Sequence, residues 1–116
     1  MFKLLFIGFM LLSLHGNAVA NSAPEIKKLR IVALAPHIVE ILFAIGAGDN
    51  IVGTVDYADY PYEAKNIARI GGYYGISLEK LLALKPDLVI AWKSGNQQED
   101  IAQIERLGIQ VHLSNP

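Results

Sequence analysis

Apolar residues along this chain follow two rhythms. Short unbroken runs rich in Val and Ile alternate with stretches where apolar residues recur every three or four positions. The first rhythm is that of a strand buried on both faces, the second that of a helix with one apolar stripe. Runs at Arg30 to Ala35, Ile51 to Val55, Leu88 to Ala91 and Ile109 to Leu113 predict four strands. Pro36 stops the first run, and Ile38, Ile41, Leu42 and Ile45 then mark a helix face that closes at Gly46 and Gly48. Asp56 to Pro61 reads as a loop, Tyr62 to Asn66 as a turn of helix, and Ile67 to Ile76 as a glycine-rich aromatic loop. Ser77 is placed to cap a helix from Leu78 to Leu84, with Glu79 in its first turn, where a carboxylate suits the helix dipole. Ile101, Ile104 and Leu107 mark a last helix, from Gln98 to a stop at Gly108. The order β-α-β-(α)α-β-α-β predicts an α/β fold, a Rossmann-like parallel sheet of about four strands flanked by helices, with right-handed crossovers.

The first twenty residues break this pattern. Lys3 is followed by an apolar run, Leu4 to Leu14, interrupted only by Gly8 and Ser13, and then by Ala18-Val19-Ala20. That is the layout of a secretory signal peptide over residues 1–20. The apolar run is about half of the ~20 residues that span a bilayer, so it is read as a cleaved leader and not an anchor. Residues 21–29 are a polar, flexible lead-in, and 30–116 form the single α/β unit. Export permits disulfides, but the chain has no cysteine, which also removes the lipid-bearing residue of a lipoprotein. Without Lys3 the remaining basic residues are slightly outnumbered by eleven acidic ones. No basic tract points to nucleic acid and no basic amphipathic helix to a membrane surface. The expectation is a soluble protein of the bacterial periplasm, with no direct membrane insertion after signal cleavage.

Elimination narrows the chemistry. The turn after the first strand, Ala35-Pro36-His37, carries no phosphate loop, and Gly46-Ala47-Gly48 sits at the wrong end of a helix to hold phosphate. His37 and His112 are the histidines outside the leader, too few for a metal site, and His112 inside the last strand reads as a packed or edge residue. Asp56 and Asp59 form either a carboxylate pair or, more simply, a solvated loop. With no Gly-x-Ser-x-Gly elbow, no catalytic residue is assigned and no catalytic cofactor is called for. An enzyme on a doubly wound sheet stands only as the alternative from a different class. What remains are aromatics placed after strands: Tyr57 and Tyr60, Tyr73 and Tyr74, and Trp92, the only tryptophan, with His37 beside them. In a parallel sheet these loops share one edge, where ligands bind. Such a lining suits a large, flat, mostly apolar ligand, at ~0.5–1.5 kcal/mol per aromatic contact beyond area burial. Tyr60, before Pro61, is expected to tuck into the core.

Arg30 to Gly53, the loop Asp56-Tyr-Ala-Asp-Tyr-Pro61, and Leu78 to Trp92 with Gly95-Asn96 after it together resemble a known group: the substrate-binding proteins of bacterial ABC importers for iron chelates, haem and cobalamin. The resemblance runs over nearly all of Arg30 to Asn115. Lys85-Pro-Asp-Leu-Val89 is common to the whole group. The Asp-Tyr-Pro loop and the tryptophan after the strand are more particular to its cobalamin branch. The resemblance implies a bilobal class III protein, non-enzymatic, with a long helix joining two α/β lobes and the ligand in the cleft between them. It implies cobalamin or a related corrinoid as cargo and the permease subunits of an ABC importer as partner. Tyr57 and Trp92 match corrinoid-contacting aromatics. Tyr73 stands where the pattern has another tryptophan, His37 where it has a small residue, and Glu79 at a surface glutamate that docks on permease arginines. Read without the resemblance, Glu79 is an ordinary first-turn carboxylate. Haem or a ferric siderophore is the alternative cargo. Haem binders of this group carry a ligating tyrosine directly after the first glycine of the glycine loop, where this chain has Gly72. Anionic ligands also need Arg or Lys, and the crevice positions offer only Lys93. Cobalamin's neutral amides suit Tyr, Asn96 and Gln97. The family continues into its interlobe helix and second lobe where this sequence reaches Pro116, so one lobe, a fragment of the full architecture, is expected, and with it weak binding.

Overall fold

Residues 27–115 are described by a computed structural model. In chain order they form β1 (Ile31–Ala33), α1 (Pro36–Ala44), β2 (Ile51–Gly53), β3 (Gly71–Gly72), β4 (Gly75–Ile76), α2 (Leu78–Ala83), β5 (Leu88–Trp92), α3 (Gln98–Arg106) and β6 (Val111–Ser114), with 3-10 turns at Gly48–Asn50 and Tyr62–Asn66. The leader and the start of the lead-in lie outside the described residues. β2, β1, β5 and β6 make one parallel sheet in that order. No described helix is long and apolar enough to cross a membrane.

Alternation along the strands divides the core in two. Ile31 and Ala33 face one way, onto Ile38, Val39 and Leu42 of α1. Val32 and Leu34 face the other way, with Val89 and Ala91 of β5, onto Leu81 of α2 and Ile101 and Ile104 of α3. The chain leaves β1 for β2 on one side and returns to β5 and β6 on the other. The order therefore reverses beside β1, and a crevice between the ends of β1 and β5 follows from topology alone. At the opposite end, Asp87 ties the two strands together: Arg30 N–H donates to its Oδ2 at 2.8 Å and Lys27 Nζ lies 3.5 Å from Oδ1.

Four expectations change. The inward arc of α1 is Ile38, Val39 and Leu42, whereas Ile41 and Ile45 are exposed. The helix turns Val39 into the cluster beneath it, and Ile45 falls beyond the last helical residue. β5 is fully buried on one face only: Val89 and Ala91 are covered, but Leu88, Ile90 and Trp92 are half-buried. α1 lies against β1 and β2, and no described helix covers β5 and β6 on that side. The glycine-rich stretch contains a small antiparallel hairpin, β3–β4, and is not simply a loop. Tyr60 is 71% exposed, because Ala58 and Ala64 already fill the space under its loop. Two smaller shifts concern ends: Leu107 caps α3 and is exposed, and β6 begins two residues late.

Candidate ligand-binding site

A cavity of about 210 Å³ opens beyond the carboxyl ends of the strands. Its floor is Leu34, Ala35 and Pro36, the residues that leave β1. Val55, Asp56 and Tyr57 after β2 form one side, Gly72 and Tyr73 of the hairpin form the roof edge, and Trp92, Gly95 and Asn96 after β5 close the other side. Three of the sequence's candidate aromatics therefore meet in one place. Among the described residues Asp56 is the only charged one in the lining, and no Lys or Arg reaches it.

Each wall has its own support. Beyond β2 the chain is held by residues 68–71: Thr54 N–H donates to Ala68 O, Ile70 N–H to Thr54 O, and Asp56 N–H to Gly71 O, each at 2.9 Å. Thr54 is fully buried and its hydroxyl is satisfied by Ala33 O at 2.8 Å. Arg69 then organises the tyrosine loop, donating from Nη2 to Ala58 O (2.9 Å) and Asp59 Oδ1 (3.2 Å) and from Nη1 to Ala64 O (3.2 Å). Asp59 is thus an ion-pair partner, and Asp56 alone faces the crevice. Tyr57 sits at φ +69°, a region unfavourable for a bulky side chain, and the residue is 74% exposed. The hairpin is pinned to the start of α3, where Asp100 Oδ2 accepts from Ile76 N–H (3.1 Å) and Gln97 Nε2 donates to Tyr73 O (3.2 Å).

Trp92 is fixed on two sides. Its ring meets His37 edge-on, with centroids 5.2 Å apart at 82°. The backbone of Gly95 lies against the same indole so closely that a Cβ there would overlap Cε3. Asn96 lines the cavity, but its amide is engaged with backbone: Oδ1 accepts from Trp92 N–H at 2.6 Å and Nδ2 donates to Leu34 O at 2.9 Å. His37 does not line the cavity. It stands behind Trp92 with Nε2 buried and without a partner. Lys93 is exposed and also outside the lining, and His112 is exposed on the edge strand. Glu79 is exposed on α2, away from the crevice, in a helix whose Ser77 cap accepts from Lys80 N–H at 3.2 Å. Among the described residues no three His, Cys, Asp or Glu side chains gather as a metal site. Nothing in the residue pattern marks Arg69 as the loop's organiser. The pattern does place Gly72 and Gly95 beside aromatics, where their lack of a side chain now has a reason.

Known proteins bear on this geometry. A family model described as "Periplasmic binding protein" matches residues 31–116, all but the leader and lead-in. The chain belongs to the periplasmic binding protein family. Among curated members of the family, the vitamin B12-binding proteins of Vibrio campbellii and Vibrio cholerae are 42% and 44% identical to it over 85 residues, 73% of this chain. The chain spans about a third (31%) of the length of these relatives. Among solved members, the periplasmic vitamin B12 binding protein BtuF of Vibrio cholerae superposes with a TM-score of 0.71 at 44% identity, covering 73% of this chain and 33% of that one. The periplasmic heme-binding protein RhuT of Roseiflexus gives the same TM-score at 37% identity, over 77% of this chain and 34% of its own. The Rossmann-like parallel sheet with flanking helices is therefore the family's architecture.

Proposed function

We propose that this chain captures a corrinoid of the cobalamin type in the periplasm and passes it to the permease of an ABC importer, as a carrier and not as an enzyme. The observation that carries this reading is the lining of the crevice: Tyr57, Tyr73 and Trp92 around an apolar floor, with no cation among the described residues. A flat macrocycle gains from stacked aromatic surface, and amide side groups need neutral hydrogen-bond partners, which tyrosine hydroxyls and backbone supply. A macrocycle with carboxylates would meet Asp56 and no Arg or Lys. The vitamin B12-binding relatives support the same cargo. Haem is the second reading, favoured by the equal superposition on RhuT.

In this reading residues 1–20 direct export, residues 21–29 are a lead-in, and residues 30–116 supply one lobe of the site. Glu79, exposed at the first turn of α2, offers a carboxylate to permease arginines. A cavity of about 210 Å³ is below the ~300–1,000 Å³ of pockets that enclose their ligands. It is one wall of a clamp. Affinity for the chain alone is accordingly set near micromolar or weaker, against about −12 kcal/mol for a nanomolar site.

Equilibrium dialysis of the purified chain against cobalamin, haem and a ferric siderophore tests the cargo. Cobalamin is expected to be retained above the other two. Preferential retention of haem or siderophore would replace the first reading by the second. Expression in a Gram-negative host, with intact mass measured on the periplasmic fraction, tests export: the expected product begins near Asn21.

A further inference from the structure

At the floor of the crevice, the ladder between β1 and β5 stops one rung early, and a side chain fills the gap. Rungs run from Leu88 N–H donating to Arg30 O (3.2 Å) up to Leu34 N–H donating to Ile90 O (2.9 Å). Ile31, Val32 and Ala33 face Leu88, Val89 and Ile90. The same register puts Leu34 opposite Ala91 and makes Trp92 N–H the next donor, to Leu34 O. That bond is replaced. Trp92 N–H donates to Asn96 Oδ1 (2.6 Å), and Asn96 Nδ2 donates to Leu34 O (2.9 Å). Amide orientation is fixed by chemistry, since a backbone N–H only donates and a carbonyl only accepts. The following rung would need an N–H at position 36, and proline has none. Trp92 O turns instead to the N–H groups of Gly95 (3.2 Å) and Asn96 (2.9 Å). Leu34 O, Trp92 N–H and Trp92 O therefore all keep partners although the strands have parted.

We propose that Asn96 is a positioning residue: its side-chain amide stands in the ladder as a wedge, holds β1 and β5 apart at the crevice floor, and so fixes the Trp92 indole. The task selects the residue. Asp ionised lacks the donor for Leu34 O, Gln is one methylene too long, and Ala leaves both backbone groups to find each other and close the floor. Gly95 completes the device by letting the indole lie on the turn. Asn96 thus acts on a ligand through Trp92. Only this last consequence rests on the ligand-capture reading above; the wedge is read without ligand.

The test uses the ligand-free chain first. By NMR, the Trp92 amide proton and the Asn96 Nδ2 proton bonded to Leu34 O are expected to exchange at least about tenfold more slowly than exposed amides, as hydrogen-bonded groups do. Fast exchange of either overturns the proposal, and this measurement needs no variant. Next, Asn96→Asp is compared with the parent at each pH, so that titration of His37 behind the indole and of Asp56 and Tyr73 across the cavity cancels. At neutral pH the carboxylate faces Leu34 O, and Trp92 emission is expected to shift from the parent's. On acidification the neutral carboxyl regains one O–H donor and one acceptor, and emission is expected to return to the parent's. Parent-like emission of Asn96→Asp at neutral pH overturns the wedge. With cobalamin, Asn96→Ala is expected to bind about tenfold more weakly. Equal binding by parent and Asn96→Ala overturns the effect on the site. Cobalamin failing to bind the parent, with the ligand-free results as expected, overturns the ligand-capture reading and leaves the wedge standing.

Discussion

Tyr57 holds a left-handed backbone conformation that costs a bulky residue about 1–3 kcal/mol, and gains no core burial in return. In the proposed reading its exposed ring serves the cargo. Tyr57→Gly is therefore expected to hold or raise the melting temperature, since glycine accepts φ +69° freely, while weakening cobalamin binding several-fold. Thermal unfolding and dialysis on one preparation check both. Gly95→Ala makes the opposite bargain. The added methyl overlaps Trp92 Cε3, so the indole must move, at roughly 1–3 kcal/mol for an overpacked contact. A lower melting temperature together with altered Trp92 emission is the expected result, and the emission is unambiguous because Trp92 is the only tryptophan. At this scale the sequence was legible where chemistry is rare. One tryptophan and the tyrosines after strands pointed to the crevice. His37 shares that neighbourhood in sequence, but it packs behind the indole, and only the direction of a side chain separates the two cases. Tyr60 was misjudged for the same reason.

Strands and helices were legible because their signals are periodic and local. Ser77 caps α2 and Pro36 opens α1 as the residue types require. The inward arc of α1 was not, since which of several apolar stripes turns inward is decided by the sheet below it. The β3–β4 hairpin was hidden because strands of two residues, three of the four glycine, leave no alternation to read. It is held from outside by Asp100. Asp100→Ala removes a bond from Ile76 N–H to a charged acceptor, worth about 1.5–3 kcal/mol. Faster hydrogen exchange at Ile76 is expected, with slower exchange unchanged in β1 and β5. At the other end of the sheet, the Asp87 carboxyl is held below its ordinary 3.8, first by the Arg30 N–H and then, against the opposing effect of burial, by Lys27. A group with a depressed folded pKa contributes stability that is present above its unfolded value and lost as pH falls through the folded one. Stability is thus expected to decline below about pH 4, and Asp87→Asn to flatten that decline in denaturant titrations repeated across the acid range.

The molecule as described offers one face of a site. Its sheet order puts the crevice at the switch point, its lining is aromatic and free of cations among the described residues, and it spans about a third of the length of the relatives it matches. Topology of this kind was readable from alternation alone. The absence of any cation from the lining was not, because Lys93 and Arg69 lie near it in sequence and point elsewhere. That absence is what favours a neutral corrinoid over haem. Calorimetric titration of the chain and of its Trp92→Ala variant with cobalamin, and of the chain with haem, tests this most directly. The account predicts micromolar or weaker binding of cobalamin, about tenfold weaker still without the indole, and weaker binding of haem. Haem binding tighter than cobalamin, or cobalamin binding that does not notice the loss of Trp92, would contradict it.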